Sequence, residues 1–105
     1  MDIELLHKNP TIIEPTLKDD ALQFVFDVAY ARAYRFMVDT RSNKTLHAVK
    51  SALLIVCLSD TEAGIEVNGK TLYKKGDFNF IQPQQLHHYI NHDEKNIELA
   101  VIEIK

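Results

Sequence analysis

Five histidines, His7, His47, His87, His88 and His92, are the side chains of this sequence best suited to chemistry. Neutral imidazole nitrogens suit iron, zinc, copper, nickel or manganese, so His47 and His87 are candidate ligands for a divalent transition metal. Such a site needs a third or fourth donor, and a carboxylate from another strand (Asp27, Asp39 or Glu98) would complete a two-histidine, one-carboxylate face. His87 and His88 are adjacent, so on a strand they point to opposite faces, whereas His87, Tyr89 and Asn91 share one. An imidazole and a phenol on one face can serve as general base and acid. They can equally be half-buried polar tips that bond backbone carbonyls or a bound molecule. The candidate ligand-binding set is therefore Tyr34, His47, His87 and Tyr89, with no residue assigned as catalytic.

Other constellations fall away. Cys57 lies in the apolar run from Leu53 to Leu58 and reads as a buried small hydrophobe, with no second cysteine to pair with. Ser51 and Ser59 lack a nucleophile motif, three glycines cannot build a phosphate loop, and no His-Glu-X-X-His helix exists. Arg32 and Arg35 flank Tyr34 and could meet an anion, although edge-strand arginines are usually surface groups. Tyr30, Tyr34, Phe36, Phe78, Phe80 and Tyr89 are expected either to line a cavity or to fill a core.

The elements that position these groups are short strands. Residues 1 to 20 contain two of the three prolines and read as an extended arm with one short strand, near Ile3–Leu6 or Ile12–Glu14. Strands are expected over Gln23–Ala29, Ala33–Asp39, Leu46–Lys50 and Leu53–Leu58, with Thr40–Lys44 as a polar turn. Asn68-Gly69, between Ile65–Val67 and Lys70–Tyr73, is the strongest hairpin signal in the chain. Phe78–Ile81, Leu86–Asn91 and Ile97–Ile104 complete a set of seven to nine strands with no helix, which implies a β-sandwich or barrel.

The segment from Asn68 through Gly76, Pro83, His87 and Asn91 resembles the second half of a cupin domain. In that family a hairpin leads to a Gly-Asp turn, a strand, a Pro-containing loop, and a strand carrying a histidine and then an asparagine. The resemblance covers about residues 22 to 105. It implies an all-β, cupin-like double-stranded β-helix, a jelly-roll barrel of the RmlC-like type, with residues 1–20 as arm and 21–105 as barrel. Metal-binding cupins carry two further histidines and a glutamate in the first half. Here that half offers His47 alone, with Thr45 or Val49 at the partner position and Ser51 or Ala52 at the glutamate position. Gln85 stands where a glycine is common, and Gln82 lengthens the run from Gly76 to Pro83.

The expected function is a barrel with a degenerate metal site that holds a small molecule without catalysis, as a sensor or accessory protein. The ligand-holding barrel of AraC-type regulators is similar. The alternative is a metal-dependent dioxygenase or sugar isomerase or epimerase using His47 and His87; a packed interaction module is a third class. At 105 residues and net charge -3, with no cluster of Lys and Arg, nucleic acid is not an expected partner. The absence of a long apolar run argues against a membrane span, and the N-terminal residues lack a signal-like pattern, so a cytoplasmic location is expected. So small a domain buries only about 60–65% of its unfolded surface, which makes a homodimer through the arm or an edge strand the expected assembly.

Overall fold

The computed structural model describes residues 13–14 and 19–105. The arm's Ile3–Leu6 stretch and His7 lie outside the described residues. Eleven strands follow one another: β1 Ile13–Glu14, β2 Leu22–Asp27, β3 Ala31–Val38, β4 Asn43–Leu46, β5 Ala48–Val49, β6 Ala52–Cys57, β7 Ile65–Val67, β8 Lys70–Leu72, β9 Phe78–Ile81, β10 His87–Asn91 and β11 Ile97–Ile104. The described residues contain no helix, and so none long and apolar enough to cross a membrane.

Two antiparallel sheets face each other. The larger has the order β2-β3-β11-β6-β9 and the smaller β4-β10-β7-β8, while β1 pairs with β5 in parallel. Each sheet contributes alternate residues to one core. Phe36 and Val38 of β3, Ile55 and Cys57 of β6, and Leu99 and Val101 of β11 meet Ile65, Val67 and Tyr89 from the smaller sheet, all buried. The Phe36 ring packs edge-on against Tyr89 at 4.8 Å between centroids, so aromatic residues fill the middle of the barrel.

Turn chemistry fixes the register. Asn68 and Gly69 both have positive φ, 48° and 88°, as a two-residue hairpin turn requires, and Val67 duly pairs with Lys70. The stretch from Thr40 to Lys44 departs from expectation. The turn ends at Ser42, with Arg41 at φ 45°, and β4 begins at Asn43 to pair with β10. Its polar residues are those of an edge strand with one wet face, which composition alone reads as a loop.

Three of the aromatics expected to line the interior point outward. Tyr30 is 80% exposed, and Phe78 and Phe80 are about half exposed. Ile81 pairs with Leu53 and Asn79 with Ile55, both partners buried. With a side-chain period of two, that register turns Asn79 and Ile81 inward and both phenylalanines out. The Asn79 amide is satisfied there by donating to the Val67 carbonyl at 2.8 Å.

Candidate ligand site

The barrel has two chemically different ends. At one, Asn91 is buried, and its amide donates to the carbonyls of Val38, Asp39 and Lys95 at 2.9–3.1 Å. Its oxygen accepts from the Asp93 N–H at 2.8 Å. The Asp93 carboxylate in turn accepts from the Thr61 hydroxyl at 2.6 Å and from the Glu62 and Ala63 amides. The Thr61 bond foremost, aided by those amides, holds the Asp93 carboxyl down at about 2. Every polar group in this set is spent on closing loops. Three shallow clefts of about 250, 170 and 320 Å³ lie around this end, and Arg41 and His92 line two of them.

The other end carries His87. The periodicity that puts His87, Tyr89 and Asn91 on one face holds, and all three are buried. The imidazole is 2.6 Å from the Tyr89 hydroxyl through Nδ1 and 3.1 Å from the His47 carbonyl through Nε2. A carbonyl only accepts, so Nε2 carries the proton and Nδ1 accepts from the phenol. Burial pushes the His87 pKa down to about 4, against the smaller upward pull of the His47 carbonyl. Burial also raises the Tyr89 phenol, so both rings are neutral at physiological pH.

Of the four predicted ligand-contacting residues, His87, Tyr89 and His47 form one hydrogen-bonded chain, although His47 enters it through its backbone. Its side chain is exposed between β4 and β5. Tyr34 is buried on β3, one layer beyond Phe36 toward the same end, with Phe24 edge-on against it at 6.2 Å. Hydrogen bonds to Tyr34, then to Asp27, raise the Arg32 pKa.

The three candidate carboxylates lie elsewhere. Glu98 pairs with Arg35 on the outer face of the larger sheet. Asp27 is bound by Lys105 and Arg32. Asp39 is exposed, and its backbone carbonyl accepts from Asn91. As arranged, this donor set does not fit a resident metal: both ring nitrogens of His87 are committed to protein partners. Among the described residues, no three His, Cys, Asp or Glu side chains are grouped to hold an ion.

The acid that sequence reasoning missed is Glu103, buried at 3% exposure on β11, with Arg32 Nη1 3.8 Å away. It is in phase with Leu99 and Val101, so the period of two carried the signal. Arg32 is likewise in phase with Tyr34 and turns inward, whereas Arg35 turns out. Arg32, Tyr34 and Glu103 thus put an inward-facing polar layer at the His87 end, with Asp27 exposed at its rim.

No protein-family model matches the chain, and no curated protein does. Solved structures do match in fold. The Cupin_2 domain of an XRE family transcriptional regulator from Enterobacter cloacae superposes with TM-score 0.65 at 12% identity, covering 78% of this chain and 92% of that one. A cupin domain from Bordetella pertussis Tohama I gives 0.63 at 14%, covering 87% and 95%. An RmlC-like cupin from Shewanella frigidimarina NCIMB 400 gives 0.61 at 16%, covering 87% and 84%. Two facing antiparallel sheets joined by short turns are thus shared with these structures, and the cupin double-stranded β-helix is the fold of this chain.

Proposed function

We propose that this chain is a cytoplasmic cupin barrel that binds a small molecule at its His87 end without turning it over, as a sensor or accessory protein. The observation that carries the reading is the contrast between the two ends. Polar groups inside a β-barrel are costly unless they bond something. At the Asn91 end they close loops; at the His87 end Arg32, bonded to Tyr34 and Asp27 and close to Glu103, ties β2, β3 and β11 into a charged and hydroxylated layer above a locked imidazole. Arg32 already faces Asp27 and Glu103, so its charge is balanced. That layer suits an uncharged, hydroxylated or amide-bearing ligand better than an anion.

Catalysis is disfavoured because neither member of the His87–Tyr89 pair is free to move a proton at neutral pH. The imidazole is low in basicity and bonded at both nitrogens, and the phenol is raised well above its ordinary value. The test is thermal melting of the purified protein against small polyols, sugars, amides and carboxylates, alongside its metal content. A ligand-dependent rise in Tm that survives chelator supports binding. Stoichiometric metal, with a Tm that falls on chelation, would replace this reading with the metal-dependent enzyme.

A further inference from the structure

We propose that the surface beside Asn91, at the end of the barrel away from His87, is a second binding site, and that it takes a small zwitterion whose amino and carboxylate groups stand several bonds apart. The buried groups at this end close loops, but the exposed ones around them do not. Two clefts, of about 250 and 320 Å³, share Arg41 and His92, which therefore form their common wall. Their other linings differ in charge. The first cleft adds Ser42, Asn43, Ile90 and Asn91 and no acid, whereas the second adds Glu62, Asp93 and Glu94. A basic wall with neutral donors on one side and carboxylates on the other complements a molecule that carries both signs.

Arg41 is the anchor for the carboxylate. Its Nη2 donates to Glu94 Oε2 at 2.8 Å, while Nε and Nη1 make no bond among the described residues. Those N–H groups remain for a ligand, in the planar fork that suits a carboxylate. The backbone of Arg41 has φ 45°, a left-handed conformation that glycine or asparagine holds at less cost. The ion pair does not account for an arginine there, because its side chains are 67% and 82% exposed and such pairs return little. Backbone strain of this kind collects at binding sites. The turn itself is held in place: the Arg41 N–H donates to the Asp93 carbonyl at 3.2 Å, and the Thr40 N–H to Asn96 Oδ1 at 3.0 Å.

The acid side selects the ammonium. Asp93 is spent on the Thr61 hydroxyl and on backbone amides, which leaves the exposed carboxylates of Glu62 and Glu94 to face a cation. A lone anion in the first cleft would have these acids next to it, and a lone cation in the second would meet Arg41. Because the shared wall separates the clefts, charges on neighbouring atoms cannot reach both. An ω-amino acid or a short peptide can.

The test is an NMR titration of the backbone amides of the full chain with γ-aminobutyrate, and in parallel with butyrate and with butylamine. The expected result is saturable shifts over residues 41–43 and 92–94 with γ-aminobutyrate, and binding weaker by about tenfold or more for each singly charged analogue. Arg41→Asn removes the guanidinium and suits the left-handed turn, so it should keep or raise Tm while weakening γ-aminobutyrate by about tenfold or more. The proposal is overturned by the absence of saturable shifts, by shifts centred on residues 87–89, by butyrate or butylamine binding as tightly, or by unweakened binding in folded Arg41→Asn. Should that variant not fold, Glu62→Gln, which alters an exposed side chain, decides by the same loss or retention of binding.

Discussion

The phenol of Tyr89 donates to Nδ1 of His87 at 2.6 Å, and with the His47 carbonyl on Nε2 it fixes one tautomer of a buried imidazole. The ring is thereby a structural cross-brace between β10 and the segment joining β4 to β5.

Removing the phenolic oxygen tests that brace. Tyr89→Phe keeps the ring against Phe36 but leaves a buried Nδ1 acceptor unpaired, so a loss of about 1–3 kcal/mol is expected. Urea denaturation should show a lower midpoint at unchanged slope. An unchanged midpoint would mean that Nδ1 finds another donor.

Acid should act through His87 before it acts through Asp93. The folded His87 pKa of about 4 lies below the unfolded value of 6.5, so the unfolded chain takes up a proton first as pH falls. Stability is complete above about 6.5 and declines toward pH 4, by about 3 kcal/mol over the window. Asp93, held at about 2, stabilises the fold above its unfolded value of 3.8, and that contribution is lost only as pH falls further. Chemical denaturation from pH 7 to 2, with an NMR titration of the His87 ring, reads both. A ring that titrates near 6.5 would contradict the assignment.

Asn91 ties three carbonyls from two chain segments. Asn91→Ala should cost about 2–4 kcal/mol, because it strands buried acceptors. Hydrogen exchange should speed up first in residues 39–43 and 92–96. A uniform change across the barrel would contradict this local role.

Two glycines should answer differently to alanine. A Cβ on Gly64 would lie 2.5 Å from Thr71 Cγ2 and 2.9 Å from the Tyr73 ring, at φ +90°, whereas Gly69, at φ +88°, has nothing within 4 Å. Gly69→Ala should cost only the backbone strain of about 1–2 kcal/mol, and Gly64→Ala distinctly more. Equal midpoints in urea would show that the loop at Gly64 yields.

Legibility in the sequence followed how local each signal was. The Asn68-Gly69 hairpin, the shared face of His87, Tyr89 and Asn91, and the buried Cys57 depend on period and turn type within a few residues. Phe78 and Phe80 were misleading because Phe78-Asn79-Phe80-Ile81 offers two apolar phases, and only pairing with β6 chooses the one containing Asn79. β4 was hidden because its polar residues are those of an edge strand. Glu103 was visible in phase with Val101, but its nearness to Arg32 depends on β3 lying beside β11, a long-range pairing no local pattern encodes.

The position of β11 has a kinetic meaning. It lies between β3 and β6, yet follows every other strand of both sheets in chain order. Until it is made, β3 and β6 each present an open, apolar edge with its partner missing. Barrel closure must therefore await synthesis past Ile104, and the nascent chain up to Asn96 is the species most exposed to strand-to-strand aggregation.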